Sequence, residues 1–206
     1  MAQHHTQLEI ERKYDVDGDL RPPQLVGVGA IAVESEPETA ELVATYYDTA
    51  ELRLARQRVA VRARRGGSDE GWHIKLPPTG EGRPELHWPL GDGEQPPAEL
   101  LETIRDQLGD GVLIPVARVT NSRDTTLLKD AAGFELAELC DDHVRGENLQ
   151  TGTSDAWREW EVELLSGAPD SRERRAALLD GIEAELLAAG ARPSASSSKL
   201  QRALGL

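Results

Sequence analysis

A single cysteine, Cys140, stands among 206 residues. A lone thiol excludes an internal disulfide and a thiolate zinc cluster, and Cys140 reads as a buried strand residue with no histidine placed to activate it. Aromatic residues make up only 4% of the chain, so each Trp and Tyr carries more information than usual. No apolar run approaches the roughly 18 residues that read as a membrane span. Residues 1–7 are polar and have neither the basic end nor the apolar stretch of a secretory leader. A cytoplasmic protein is therefore expected. No Gly-x-x-x-x-Gly-Lys loop is present, which excludes a P-loop phosphate site. The histidines, His4, His5, His73, His87 and His143, show no metal-binding spacing. Basic residues are also short: 23 Lys and Arg face 37 Asp and Glu, a formal net charge of −14. Such a chain repels nucleic acid and anionic membranes at long range, so neither is an expected partner. The same carboxylate excess suits divalent cations, which prefer oxygen ligands.

Hydrophobic residues reach 38%, enough for the core of one domain. Residues 7–16 read as the first strand, with Leu8 and Ile10 on one face and Glu9, Glu11 and Lys13 on the other. Further strands are expected at about 27–34, 38–47, 59–65, 72–76, 83–90, 115–129, 133–144 and 157–165. Asp48-Thr49 is placed to cap a short helical piece through about Gln57. Leu100, Leu101, Ile104 and Leu108 recur at helical spacing over residues 96–108. Residues 170–189, rich in Ala, Leu, Glu and Arg, make the strongest helix, and a serine run, 194–198, leads to a short one near 199–204. Strands interrupted by helices, with a helical C-terminus, suit an antiparallel sheet that curls or closes with helices packed outside it.

The strands share an unusual alternation. Val59, Val61 and Ala63 alternate with Arg62 and Arg64; Trp72, Ile74 and Leu76 alternate with His73 and Lys75. Leu86 and Trp88 alternate with Arg83, Glu85 and His87; Trp160, Val162 and Leu164 alternate with Glu159, Glu161 and Glu163. The pattern alone also fits an open sheet with its charged face in water. Yet the charged faces repeat Glu with Glu and Arg with Arg, and like charges on neighbouring positions repel. Glutamate runs call for a metal ion and Arg/Lys runs for an anion. Both needs are met if the sheet closes with its charged face inward around a metal–polyphosphate complex, since an empty, dry charged interior is costly.

The segment Glu9-Ile10-Glu11-Arg12-Lys13 resembles the ExExK motif of the CYTH superfamily, the triphosphate tunnel metalloenzymes that include thiamine-triphosphatase-like proteins. Tyr46-Tyr47-Asp48-Thr49 with Val59 through Arg64 resembles the family's second block. Trp72 through Pro77 resembles its lysine strand, Arg83-Pro84-Glu85 its following acidic strand. Asn121-Ser122-Arg123, Asp141 through Val144, Trp157 through Leu164 and Ser198-Lys199-Leu200 follow in the same order. The likeness spans nearly the whole chain and implies a single CYTH domain over 1–206: a closed or nearly closed eight-stranded antiparallel barrel with outer helices. No helical CHAD domain, the frequent bacterial companion of CYTH, is expected.

By that resemblance Glu9, Glu11, Asp142 and two of Glu159, Glu161 and Glu163 would hold metal, with Glu161 preferred and converging with Glu9 and Glu11. Asp141 and Asp142 are strand neighbours that face opposite ways, so only one can point inward, and the resemblance favours Asp142. Lys13, Arg62, Arg64, Lys75, Arg123 and Lys199 would meet phosphate oxygens, whereas Arg118 and Lys129 read as surface residues. Glu85 would either ligate metal or brace Lys75 and the arginines. The catalytic set is then Glu9, Glu11, Lys13, Glu85 and Asp142. Lys199, beyond a serine run, is expected to swing over a tunnel mouth. The implied cofactor is magnesium or manganese, two ions during turnover. The implied reaction is hydrolysis of inorganic triphosphate, thiamine triphosphate or a nucleoside triphosphate. The alternatives are a non-catalytic polyphosphate- or nucleotide-binding module and an adenylate cyclase.

Overall fold

The computed structural model describes residues 5–91 and 95–206. Residues 1–4, where His4 and part of the polar start fall, and 92–94 lie outside the described residues. In chain order the elements are β1 (His5–Glu9), β2 (Glu11–Asp15), β3 (Val33–Glu34), β4 (Glu38–Asp48), α1 (Arg53–Arg56), β5 (Ala60–Arg65), β6 (Gly71–Lys75) and β7 (Arg83–Trp88). There follow α2 (Ala98–Thr103), α3 (Arg105–Leu108), β8 (Ile114–Lys129), β9 (Glu135–Asn148), β10 (Ser154–Leu164), α4 (Arg172–Ala188), β11 (Arg192–Pro193) and α5 (Lys199–Leu204). Sequence expectations change at several places. Residues 27–30 form turns and 31–32 are irregular rather than strand, because Gly27 and Gly29 take positive φ (97° and 55°) and Gly27 N–H bonds to the Ile31 carbonyl at 2.9 Å. The helix expected over 96–108 is parted at Ile104 into α2 and α3.

All paired strands are antiparallel, in the order β1-β7-β6-β5-β4-β8-β9-β10-β2-β11, with β3 attached to β8. The sheet curls into a half-barrel. The antiparallel curl is as expected, but the closed or nearly closed eight-stranded barrel is corrected to an open path of ten strands. The segment expected as one strand is two, divided at Ile10, and each half has its own neighbour. Residues 5–9 pair with β7, residues 11–15 with β10. One nearly continuous segment therefore bonds to strands at opposite ends of the path.

The curl inverts the usual arrangement of a sheet. Trp160, Val162 and Leu164 pack outward against Leu178, Leu179, Ile182 and Leu186 of α4. Val61, Trp72, Ile74, Leu86 and Trp88 pack outward against Leu54, Leu100 and Ile104. Burying such side chains fully contributes about 1.5–3 kcal/mol each, which offsets the placing of charged residues on the concave side. Asp48 shapes the approach to β5: its carboxylate accepts the N–H groups of Leu54 and Ala55, both at 2.9 Å.

The short helix α5 is part of the core. Leu200, Ala203 and Leu204 pack with Tyr46, Ala60, Val119, Val144 and Trp157 at one end of the half-barrel. Gly146 permits this approach, since a Cβ there would lie 2.8 Å from the Ala203 Cβ. The Ser198 hydroxyl accepts the Gln201 N–H at 3.2 Å, the ordinary cap that starts a helix, so Lys199 is fixed as its first residue. The serine-rich approach had suggested a free flap; the apolar face of α5 seats it instead.

Candidate active site

The concave face encloses a cavity of about 940 Å³ lined by Glu9, Glu11, Lys13, Arg62, Arg64, Lys75, Glu85, Arg123, Glu161, Glu163 and Lys199. The strand alternation is the cause: a period of two sends the apolar set to the helices and the charged set inward. Arg118 is exposed and Lys129 pairs with Glu135 at 3.0 Å; neither lines the cavity.

The carboxylates form two groups, each with one oxygen per residue lying within 4.8 Å of the others: Glu9, Glu11 and Glu163, and Asp142, Glu159 and Glu161. The grouping corrects the expectation that Glu161 joins Glu9 and Glu11. Register decides it. Glu163 stands opposite Glu11 and Glu161 opposite Lys13 across β10 and β2, while Glu159 stands opposite Asp142 on β9.

Cations divide unevenly between the groups. The second is almost filled by them. Lys199 Nζ lies 2.8 Å from Asp142, 2.6 Å from Glu159 and 2.7 Å from Glu161. Arg123 donates to Asp142 at 2.6 and 2.7 Å and to Glu161 at 2.5 Å, and Lys13 pairs with Glu161. Asn121 Nδ2 donates to Asp142 at 2.9 Å. Burial opposes the charge of Lys199, but Glu161, Asp142 and Glu159 hold its pKa above the ordinary lysine value. Likewise burial opposes ionisation of Glu161, and Lys13, Lys199 and Arg123 overcome it. Asp142 is fully buried and turns toward the cavity-lining Arg123 and Lys199, whereas Asp141 pairs with Arg158 at 2.6 Å.

The first group has less compensation. Lys75 pairs with Glu9, and Lys13 lies 2.7 Å from Glu11. Glu163 receives only the Gln7 amide, at 3.2 Å, among the described residues. Burial, reinforced by Glu9, pushes the Glu163 carboxyl up to about 8. One oxygen of the buried Glu9 has no hydrogen-bond partner among the described residues. A buried, unpartnered carboxylate oxygen beside two further carboxylates is a mismatch that a hard cation would remove.

The basic wall lies on β5 and β6. Arg62 donates to Glu85 at 3.2 Å and Lys75 lies 3.4 Å from the same carboxylate, so Glu85 braces these cations; it belongs to neither acidic group. Arg64 pairs with Asp69, yet burial and the neighbouring Arg62 and Arg123 push its pKa down to about 9. The Nε atoms of Arg62 and Arg64 are buried and have no hydrogen-bond partner among the described residues. Guanidinium groups crowded together with unused donors are suited to a phosphate, whose oxygens accept in a fork geometry.

Sequence reasoning gave no role to His73, Asn121 or Asp69. His73 and Asn121 stand on inward strand positions and were open to the same period-of-two argument, but neither carries a charge that would single it out. Asp69 lies in a turn, and only three-dimensional folding brings it to Arg64. Arg83 also lines the cavity, but its guanidinium is committed to the carbonyls of Leu76 and Arg58 at 2.8 and 2.9 Å.

The chain matches a family model described as the CYTH domain over residues 7–183. Two uncharacterized proteins from strains of Mycobacterium tuberculosis are 39% identical over 211 aligned residues, covering 96% of this chain and 40% of each relative. The chain thus spans about 40% of the length of the curated relatives it matches. Among solved structures, a candidate adenylate cyclase from Bacillus halodurans aligns with a TM-score of 0.63 at 20% identity, over 96% of this chain and 97% of the other. A candidate adenylyl cyclase from Hippeastrum, described as having a dominant triphosphatase activity, aligns with a TM-score of 0.52 at 17% identity, over 96% and 95% of the two chains. At these identities the structural likeness concerns the fold.

Proposed function

This chain belongs to the CYTH domain family, and on that premise we propose that it hydrolyses a linear triphosphate with a divalent cation, inorganic triphosphate first among the candidate substrates. One observation carries the reading: a single cavity holds an under-compensated carboxylate group facing a wall of arginines and lysines with unused donors. Glu9, Glu11 and Glu163 fit a hard cation, magnesium or manganese, which when bound would polarise a phosphoryl oxygen and activate water. Arg62, Arg64, Lys75 and Arg123 bind the phosphate oxygens and hold the chain extended. In such chemistry position and charge matter more than covalent participation of the protein. Asp142 holds Arg123 and Lys199 rather than acting on water, because its oxygens are already taken by both and by Asn121. Lys13 links the two acidic groups. The half-barrel works as a tunnel, with the β1–β2 segment spanning its two ends and the CYTH domain acting as one unit.

Magnesium-, manganese- and calcium-supplemented assays on inorganic triphosphate, thiamine triphosphate and ATP test the proposal. Orthophosphate release from one of them supports it. Cyclic AMP with pyrophosphate from ATP would assign the site to cyclisation, and binding without turnover would assign it to a non-catalytic module.

Metal binding should depend on pH through Glu163. Its ordinary value is 4.5 and its folded value about 8, so folding favours the protonated form. The associated stability is full below the ordinary value and is lost as pH rises through about 8. A cation must displace that proton, so metal affinity should rise between about pH 6.5 and 8.5 and then level off. Calorimetric titration of Glu163→Gln should show a flat profile; a wild-type affinity without pH dependence contradicts the assignment.

Lys199 sits where a second cation would otherwise compensate Asp142, Glu159 and Glu161. Substrate binding is proposed to draw its ammonium from these carboxylates to a phosphate oxygen. Lys199→Met keeps the packed stem and removes the charge. Triphosphate hydrolysis should fall about tenfold or more, the worth of a charged hydrogen bond. Unchanged activity in a folded Lys199→Met protein would leave the phosphate site to the strand residues alone. Because Leu200, Ala203 and Leu204 are buried, deleting everything from Ser194 onward would also expose core, so the point substitution is the cleaner measurement.

A further inference from the structure

His73 lies between Arg62 and His87, in register with both across β5 and β7. Its side chain is 3% exposed, and its ring stacks on His87 with centroids 4.7 Å apart. Nδ1 is 2.7 Å from Glu85 Oε1, and Nε2 is 2.9 Å from the Asp69 carbonyl. Burial and the neighbouring Arg62 and Arg64, against the pull of Glu85, push its pKa down to about 3. Glu85 Oε1 and the Asp69 carbonyl are both acceptors, so each ring nitrogen faces a place for a proton. The Glu85 carboxylate is the stronger acceptor, since hydrogen bonds to charged groups exceed those to neutral carbonyls. That fixes a proton on Nδ1. Glu85 is in turn the shared partner of Arg62 and Lys75. A carboxylate with two cations on one side and nothing on the other would rotate toward either of them.

We infer that His73 is a positioning residue: its Nδ1–H holds the Glu85 carboxylate midway between Arg62 and Lys75, and so sets the spacing of two cations that receive the triphosphate. The inference rests on the reading of Arg62 and Lys75 as phosphate ligands. His73 lines the cavity, but both its ring nitrogens are engaged, by Glu85 and the Asp69 carbonyl, so it acts through Glu85. Its influence falls on binding rather than on the chemical step, because the first acidic group lies outside its contacts.

Three substitutions separate the hydrogen bond from the bulk. His73→Phe keeps a stacked ring without a donor. His73→Asn places an amide N–H near the Nδ1 position, and His73→Gln places it near Nε2. With inorganic triphosphate and magnesium, His73→Phe should raise KM about tenfold and leave kcat within about threefold, the pattern of lost uniform binding. His73→Asn should restore most of the affinity and His73→Gln should not. In a Glu85→Gln background, His73→Phe should add less than about a twofold change, since both act through one contact. A wild-type KM in folded His73→Phe overturns the inference. So does equal rescue by Asn and Gln, or a full additive effect in the Glu85→Gln background. If His73→Phe does not fold, the Asn–Gln contrast decides. Arg62→Ala, measured in parallel, tells the two failures apart: an unchanged KM there removes the phosphate reading itself, whereas a raised KM there with unchanged His73 variants removes only this inference.

Discussion

Glu11→Gln should abolish most of the triphosphatase activity while leaving the protein folded. The substitution preserves shape and removes the charge of one of the three carboxyl groups, Glu9, Glu11 and Glu163, that lie within 4.8 Å of one another. Even partners that only orient a metal ligand cost about 10–100-fold when changed, so loss of a ligand should lower kcat by more than about a hundredfold. Metal affinity should fall in step, seen as a magnesium requirement moved to higher concentration. Stability should not suffer. Lys13 loses its contact with Glu11 but keeps Glu161, and the repulsion that raises the Glu163 pKa, which Glu11 shares, is relieved. A melting temperature equal to or above that of the wild type without metal is the expected companion result. Turnover and magnesium dependence unchanged in Glu11→Gln would remove the first acidic group from the mechanism.

Arg62→Ala should produce the second largest loss, and of a different kind. Arg62 is nearly buried in the cavity wall, bonded to Glu85 at 3.2 Å, and its Nε donor has no partner among the described residues. A phosphate there would gain charge-assisted hydrogen bonds worth roughly 1.5–3 kcal/mol each, so kcat/KM should fall by about 10–100-fold. Glu85 keeps Lys75 and His73 as partners, so the change leaves no isolated buried charge and the fold should survive. Arg62→Lys should recover only part of the loss, because an ammonium offers a point charge where the guanidinium offers a fork. Steady-state kinetics over a range of triphosphate concentrations check this. Equal kinetic constants for Arg62→Ala and the wild type would show that the basic wall serves stability alone.

The inward and outward faces of the strands were legible in the sequence because a period of two fixes them together. Once Trp160 and Val162 face a helix, Glu159, Glu161 and Glu163 must face the cavity, and Asp142 must part from Asp141. The final helices were legible from another signal, the Ala-, Leu-, Glu- and Arg-rich stretch over 170–189 and the serine run before 199–204. Register was not. Whether Glu161 or Glu163 meets Glu11 depends on how β10 slides along β2, and a shift of two residues preserves every facing while exchanging the metal group. The break at Ile10 was equally hidden, since nothing in Glu9-Ile10-Glu11 distinguishes one strand from two that serve opposite ends of a curled sheet. Lys199 was found by resemblance, but its seat among Asp142, Glu159 and Glu161 depends on the packing of Leu200 and Ala203 against Gly146 and Trp157. That is a contact between segments distant in sequence. His73 was missed because its importance lies in a hydrogen bond to Glu85, not in its residue type or spacing.

The account stands most directly on orthophosphate release from inorganic triphosphate, followed in parallel for the wild type and Glu11→Gln with magnesium and with a chelator. It predicts release by the wild type only with the metal, and a loss of more than about a hundredfold in the folded variant. Release that persists in the chelator, or that proceeds equally well in Glu11→Gln, would contradict it.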